Sequence, residues 1–333
     1  MPEAASVRHV QVADEDDGIR LDRWFKRHLP ALTHGQLEKL LRTGQVRLDG
    51  ARAKSNARIS SGQEIRLPPG AQTAPERREA PVPVLSRDDK KFLQSLILAE
   101  TKTFVALSKP AGLAVQGGSG TRRHLDGLLK ALGEETGERW RLVHRLDRDT
   151  SGVLLLAKSA DYAAKLAETF RARETDKVYW ALTAGVPSPR QGRIDLALVK
   201  RANPARHGRE AMAAAEDDDP EAQRAITDFM VLDDAKRIAF VAARPVTGRT
   251  HQIRAHLAAL GTPILGDFKY GGERAHPGGA IPAGLMLHAR SLTFRDPEGR
   301  RRQVTAPPPR AFAEALTLFG FEAPAEPLPF PDL

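Results

Sequence analysis

Apolar positions change period repeatedly along this chain, and each change marks a predicted element. From Gly18, the residues Leu21, Trp24, Phe25 and His28 recur at helical spacing, with Arg20, Arg23 and Arg27 on the opposite face. Pro30 closes that helix. Thr33-His34-Gly35-Gln36 then fits a capping box, with Leu37, Leu40 and Leu41 facing inward and Gly44 as the stop. QVRLDGARAK alternates around Asp49-Gly50, which predicts a hairpin turn. Residues 68–88 hold five prolines without periodicity and read as an extended linker. Beyond it, FVALSK (104–109), VLLLAK (153–158), VYWALTAG (178–185) and IAFVAARPV (238–246) predict strands. Tyr162, Leu166 and Phe170 share one face of a helix expected over 160–171. The fold class expected is α+β: a small unit over 18–67, a larger mixed-sheet unit over 89–319, and an irregular proline-rich tail at 320–333.

Composition narrows the chemistry. The chain has 333 residues, 41% of them hydrophobic, enough for sizeable cores. No run approaches the roughly 20 apolar residues of a membrane span. The N-terminus has neither the apolar core of a secretory signal nor the character of a transit peptide, so a cytoplasmic location is expected. There is no cysteine, which excludes disulfides, thiolate zinc sites, iron–sulfur ligation and a thiol nucleophile. The net charge is +9, and residues 18–68 contribute +7 of it, with 11 Lys and Arg against 4 Asp and Glu. Charge so localised points to a polyanionic partner, with nucleic acid leading.

Two polar clusters stand out. RLVHRLDRDTSGVLLLAKS (141–159) sets three arginines, a histidine and two aspartates against a continuous apolar run, the pattern of a strand covered on both faces. Asp147 then lies in a loop at a core edge, where Arg145, Arg148 or a more distant arginine can keep it ionised. Such a carboxylate can serve as a nucleophile or base, but taken alone the loop fits a plain ion-pair cluster better. The second cluster, PVTGRTHQIRAH (245–256), follows the strand ending near Ala243, with Thr250 placed to cap a helix. Its histidines are five apart rather than four, against a metal pair. A Ser151–His144–Asp147 triad is too local and lacks the GxSxG elbow. The acidic run EDDD (216–219) reads as a solvated loop rather than a metal site. GGSG (117–120) lacks the lysine of a phosphate-binding loop.

GIRLDRWFKRHLPALTHGQLEKLLRTGQVRLDGARAKSNARISSGQEIRL resembles an S4 domain, a small RNA-binding module. HRLDRDTSG (144–152), TGRTHQIRAH (247–256), KVY (177–179) and SKPAGLAVQGGSG (108–120) resemble, in order, the motifs of the RluA family of pseudouridine synthases. The resemblance implies isomerisation of uridine in RNA: the N1–C1′ bond breaks, the base turns, and C5 joins C1′. It implies no cofactor and no metal. It implies action on RNA, with large-subunit (23S) ribosomal RNA expected from the S4 module combined with these motifs; a monomer is expected because nothing such as a heptad repeat demands more. It carries Asp147 over as the catalytic carboxylate, attacking the sugar C1′ or the ring. Tyr179 would stack on the target base and act in proton transfer at C5, Arg254 would pair with Asp147, and Arg145 would replace the flipped uridine in the RNA stack. Arg145 and Arg148 are alternatively phosphate contacts, and Tyr179 alternatively core. The S4-like unit would bind RNA through Arg20, Arg23, Arg27, Lys39, Arg42 and Lys54. Two rival classes stay in view: an inactive RNA-binding assembly factor, and a nucleoside hydrolase, which would need further carboxylates beside Asp147.

Overall fold

The computed structural model describes residues 7–69, 85–117, 123–172, 174–203, 209–216, 219–324 and 330. The chain divides into two compact units, Met1–Val82 and Pro83–Leu333.

In the first unit, helices Leu21–His28 and His34–Arg42 form where the apolar spacing predicts them. Leu21, Trp24, Phe25, Leu37 and Leu41 are buried with Val46, Ile59 and Ile65. The Thr33 hydroxyl accepts from the Gln36 amide and the Gln36 side chain accepts from the Thr33 amide, completing the capping box. Asp49 and Gly50 make the expected turn, both with positive φ, and Leu48 pairs with Ala51 across it. The hairpin ladder goes no further. Arg47–Leu48 pairs instead with Glu64–Leu67, whose other edge takes Arg8–Gln11, a strand that lies before the expected start at Gly18. Asp49 diverts the chain by accepting from the Glu64 amide (2.7 Å) and Gln63 Nε2 (2.7 Å).

The second unit is a ten-stranded sheet with single helices packed on it. Its central order is Ile97–Glu100, Phe104–Lys109, Ser151–Ala157, Leu287–Arg295, Asp176–Ala184, Ile238–Pro245, Ile226–Ala235 and Gln191–Asp195. Neighbours run antiparallel except Ser151–Ala157 beside Leu287–Arg295, a parallel pair in register at His288↔Ser151. That pair needs Gly152: its φ is +117°, and a Cβ there would lie 2.1 Å from the Ala289 carbonyl oxygen. The helix expected over 160–171 spans Ala160–Arg171, capped by the Ser159 hydroxyl. Arg87–Ser95 is also helical and starts inside the expected linker. A second capping box, Ser86 with Asp89, nucleates it despite the prolines upstream. At the other end, Phe321 is buried and Phe330 packs on the main core, so these tail residues are held by their aromatic rings.

Candidate active site

The sheet register assembles the two polar clusters. Tyr179 pairs with Ala243 on one side and Ala289 on the other, and His288 pairs with Ser151. The loop ending at Thr150, the face of Tyr179 and the loop leaving Pro245 therefore converge at the sheet centre. They line one cavity of about 330 Å3, containing Arg145, Asp147, Lys177, Tyr179, His251 and Arg254.

Lys109 clamps the Asp147 loop from below. Its Nζ is fully buried and donates to the carbonyls of Pro110, Leu113 and Arg148, each at 2.9 Å. Burial pulls its pKa down to about 8, with Asp149 and Asp147 opposing. Three acceptors require the three N–H bonds of the ammonium form, so Lys109 is charged at neutral pH. Arg148 reaches Gly112, its Nε donating to that carbonyl at 3.1 Å. It is thus a fastener of the loop as well as an exposed cation.

Asp147 is half-buried. Its Oδ2 lies 3.8 Å from Arg254 Nη1 and 3.7 Å from His251 Nε2. The firmest hold on Arg254 comes from a residue that sequence reasoning did not select. Arg254 Nε and Nη2 donate to Asp267 at 2.7 and 2.8 Å, and both side chains are buried. Asp267 also accepts from the amides of Lys269 (3.1 Å) and Tyr270 (3.3 Å). The expected Arg254–Asp147 pair exists, but as the looser of two. Burial opposes the Arg254 charge, yet Asp267 and Asp147 together push its pKa up. Only LGDFKYGG (265–272), a conspicuous glycine-flanked stretch, hinted at Asp267 in the sequence.

Tyr270 organises the other side. Its hydroxyl accepts from the Met212 amide (3.1 Å) and pairs with His251 Nδ1 (2.8 Å). Burial raises its pKa to about 12, so the phenol keeps its proton and can donate to Nδ1, leaving His251 Nε2–H toward Asp147. Burial lowers the His251 pKa to about 4, which outweighs the opposing Asp147 charge and keeps the ring neutral. The expected cap at Thr250 is not formed. The helix is Gln252–Ala259, and its N-cap residue is His251, in the left-handed conformation (φ 53°). A non-glycine residue held there beside a carboxylate is backbone strain at a functional site.

Tyr179 is half-buried against the main core. Burial, then the Asp147 charge, push its pKa up, so its phenol is neutral across the physiological range. His144 stacks on Phe170 (4.7 Å between centroids) and Nε2 accepts from the Leu155 amide at 2.9 Å. Its pKa falls to about 3, chiefly through burial. Ser151 bonds His288 (2.9 Å) rather than His144, so the triad arrangement is not built.

Arg145 is exposed at the cavity wall. In the first unit Arg20 pairs with Asp22 (2.6 Å), and Arg27 with buried Asp16, which His28 also contacts. Arg23, Lys39, Arg42 and Lys54 are exposed. No group of three or more metal-ligating side chains occurs among the described residues. The EDDD reading falls partly on residues 217–218 and the GGSG reading on 118–120, outside the described residues. No helix among the described residues is long and apolar enough to cross a membrane.

An aspartate, a guanidinium shared between two aspartates and a half-buried phenol thus surround one cavity. A model of RNA pseudouridylate synthases matches residues 103–259. The chain belongs to this family, in its RluA branch, and is an RNA pseudouridine synthase, an isomerase. It is 34% identical over 311 residues to ribosomal large subunit pseudouridine synthase C of Escherichia coli K12, covering 92% of this chain and 94% of that protein. The synonymous protein of Salmonella typhimurium LT2 is 34% identical over 320 residues, covering 94% and 97%. Among solved structures, human RNA pseudouridylate synthase domain containing 4 is 31% identical with a TM-score of 0.59, covering 71% of this chain and 97% of that one.

Proposed function

We propose that this chain converts specific uridines of large-subunit ribosomal RNA to pseudouridine, without a cofactor and as a monomer. Asp147 is the catalytic carboxylate. The observation that carries this reading is its half-buried position between Arg254 and neutral His251 in the cavity shared with Tyr179. Arg254, anchored by Asp267, steadies the carboxylate without closing on it, which leaves an oxygen available to the nucleotide. Tyr179 offers its ring to the flipped base, a contact worth about 1–3 kcal/mol. Arg145, exposed at the rim, is placed to fill the gap left in the RNA stack. Arg148 contacts the RNA backbone from the same loop. The basic first unit, read as an S4 module, grips RNA through Arg20, Arg23, Arg27, Lys39, Arg42 and Lys54, which are all exposed.

The test is to map pseudouridines in large-subunit RNA by carbodiimide modification and primer extension. A strain lacking this protein is rescued with wild type or Asp147→Asn. Stops are expected to return only with wild type, while purified Asp147→Asn binds the RNA as tightly as wild type, because the change removes the chemical step alone. Stops restored equally by Asp147→Asn would refute the assignment of that carboxylate, and an unchanged map would refute the RNA target.

A further inference from the structure

Beside the catalytic cavity lies a second, of about 460 Å3, and the two share Phe170, Lys177, Gly248 and Arg249 as a common wall. Its lining includes four cations, Arg171, Lys177, Arg244 and Arg249, against one carboxylate, the exposed Asp176. Arg244 is already engaged, since Nη2 donates to buried Asp228 at 3.0 Å. Asp228 also binds Arg193 at 2.7 Å. The other three have no carboxylate partner among the described residues. Among the described residues, the guanidinium groups of Arg171 and Arg249 donate to the backbone carbonyls of Ala167 (3.4 Å) and Arg224 (3.1 Å).

Lys177 is the most telling of the three. Its ammonium lies over the Phe170 ring, 4.8 Å from the centroid, and makes no hydrogen bond among the described residues. It is half-buried, and burial lowers its pKa. An ammonium has three N–H bonds, and this one stays reachable from both cavities while no acceptor among the described residues engages it. An anion entering beside it meets a charged donor already held in place. No carboxylate of the catalytic loop fills that role: neither Asp147 nor Asp149 forms an ion pair with Lys177, and burial alone shifts its pKa. The sheet explains the position: Lys177 and Tyr179 alternate on one strand, two residues apart, so both reach the same face.

We propose that the second cavity binds a backbone phosphate of the RNA next to the target uridine, with Lys177 as its ligand at the shared wall and Arg249 and Arg171 extending the contact. The proposal rests on the reading that a uridine of RNA occupies the catalytic cavity. A base beside Tyr179 brings the sugar–phosphate chain past that wall, and a phosphodiester supplies the acceptors that Lys177 lacks. Phe170 holds the ammonium in place by its ring face, so little side-chain freedom is lost on binding.

The experiment uses the full chain and a fluorescent large-subunit RNA transcript. Kd is measured over a range of potassium chloride concentrations for wild type, Lys177→Gln, Lys177→Arg and Arg249→Gln. Losing one phosphate contact lowers the slope of log Kd against log salt by about 0.7–0.9. That fall is expected in Lys177→Gln and, should that variant misfold, in Arg249→Gln, whose side chain is exposed. Lys177→Arg restores the wild-type slope. In turnover, Lys177→Gln raises KM about tenfold at unchanged kcat, the signature of uniform binding. Unchanged slopes in both Gln variants would overturn the proposal, as would loss of kcat at an unchanged slope. A site for free phosphate would also leave the RNA slopes unchanged. Should wild type make no pseudouridine in the transcript, the uridine reading fails separately, while the slopes still decide the phosphate contact.

Discussion

Replacing Asp267 by Asn isolates the anchor of Arg254. The shape is kept, and the carboxamide oxygen can still accept from the Lys269 and Tyr270 amides. What goes is the charge opposite a buried guanidinium that is bound at 2.7 and 2.8 Å. Two charge-assisted bonds are worth about 1.5–3 kcal/mol each, and one neutral bond of about 1 kcal/mol survives. The net cost is about 3 kcal/mol, at the lower end of the roughly 3–5 kcal/mol for breaking a buried pair. For a unit of this size, about 2–4 °C per kcal/mol converts that to a melting temperature roughly 6–12 °C lower. Function should fall further than stability implies. Arg254 then has Asp147 as its nearest carboxylate, and closing their 3.8 Å gap would occlude the oxygen that must meet the nucleotide. A displacement on this scale costs about 10²-fold in kcat, with RNA affinity unchanged. The assay pairs thermal unfolding of the full chain with single-turnover pseudouridine formation well below the variant's melting temperature. A shift under about 3 °C, corresponding to about 1 kcal/mol, would refute the view that this pair fixes Arg254.

Three other outcomes are expected. Tyr179→Phe should retain RNA affinity, whereas Tyr179→Ala should weaken it by about 1–3 kcal/mol, read as the Kd for RNA; equal losses of affinity in both would remove the ring face from the account. Gly152→Ala drives a Cβ into the Ala289 carbonyl at positive φ and should cost about 3–5 kcal/mol, seen as low soluble yield and an early melt. Gly248→Ala, with open space around it, should stay within about 1 kcal/mol by the same measurement. His288 is fully buried, and burial brings its pKa down to about 4, below the roughly 6.5 of an unfolded chain. Its contribution is therefore full above pH 6.5 and is lost as pH falls from there toward 4. The loss approaches about 1.4 kcal/mol per pH unit in urea unfolding, a slope that His288→Asn should reduce.

Period and punctuation were enough to locate the elements whose burial is one-sided or complete. The Ala160–Arg171 helix follows from Ser159 and its apolar face, and Phe104–Lys109 from the continuous apolar run Phe104 to Leu107. Cysteine-free composition and the basic N-terminal unit bounded the chemistry; loop context singled out Asp147, and the resemblance to the pseudouridine synthases named Tyr179 and Arg254. Which strands are neighbours was not legible. The parallel contact of Ser151–Ala157 with Leu287–Arg295 joins segments more than a hundred residues apart, and no local pattern encodes such a pairing. The partner of Arg254 was hidden for the same reason. Asp267 looks like any loop aspartate until the fold buries it against a guanidinium, and Lys177 looks like any strand lysine until Phe170 shelters it. Side-chain chemistry is a property of the sequence. Burial, and with it the choice of partner and protonation state, is a property of the tertiary structure, because desolvation depends on what arrives from elsewhere in the chain.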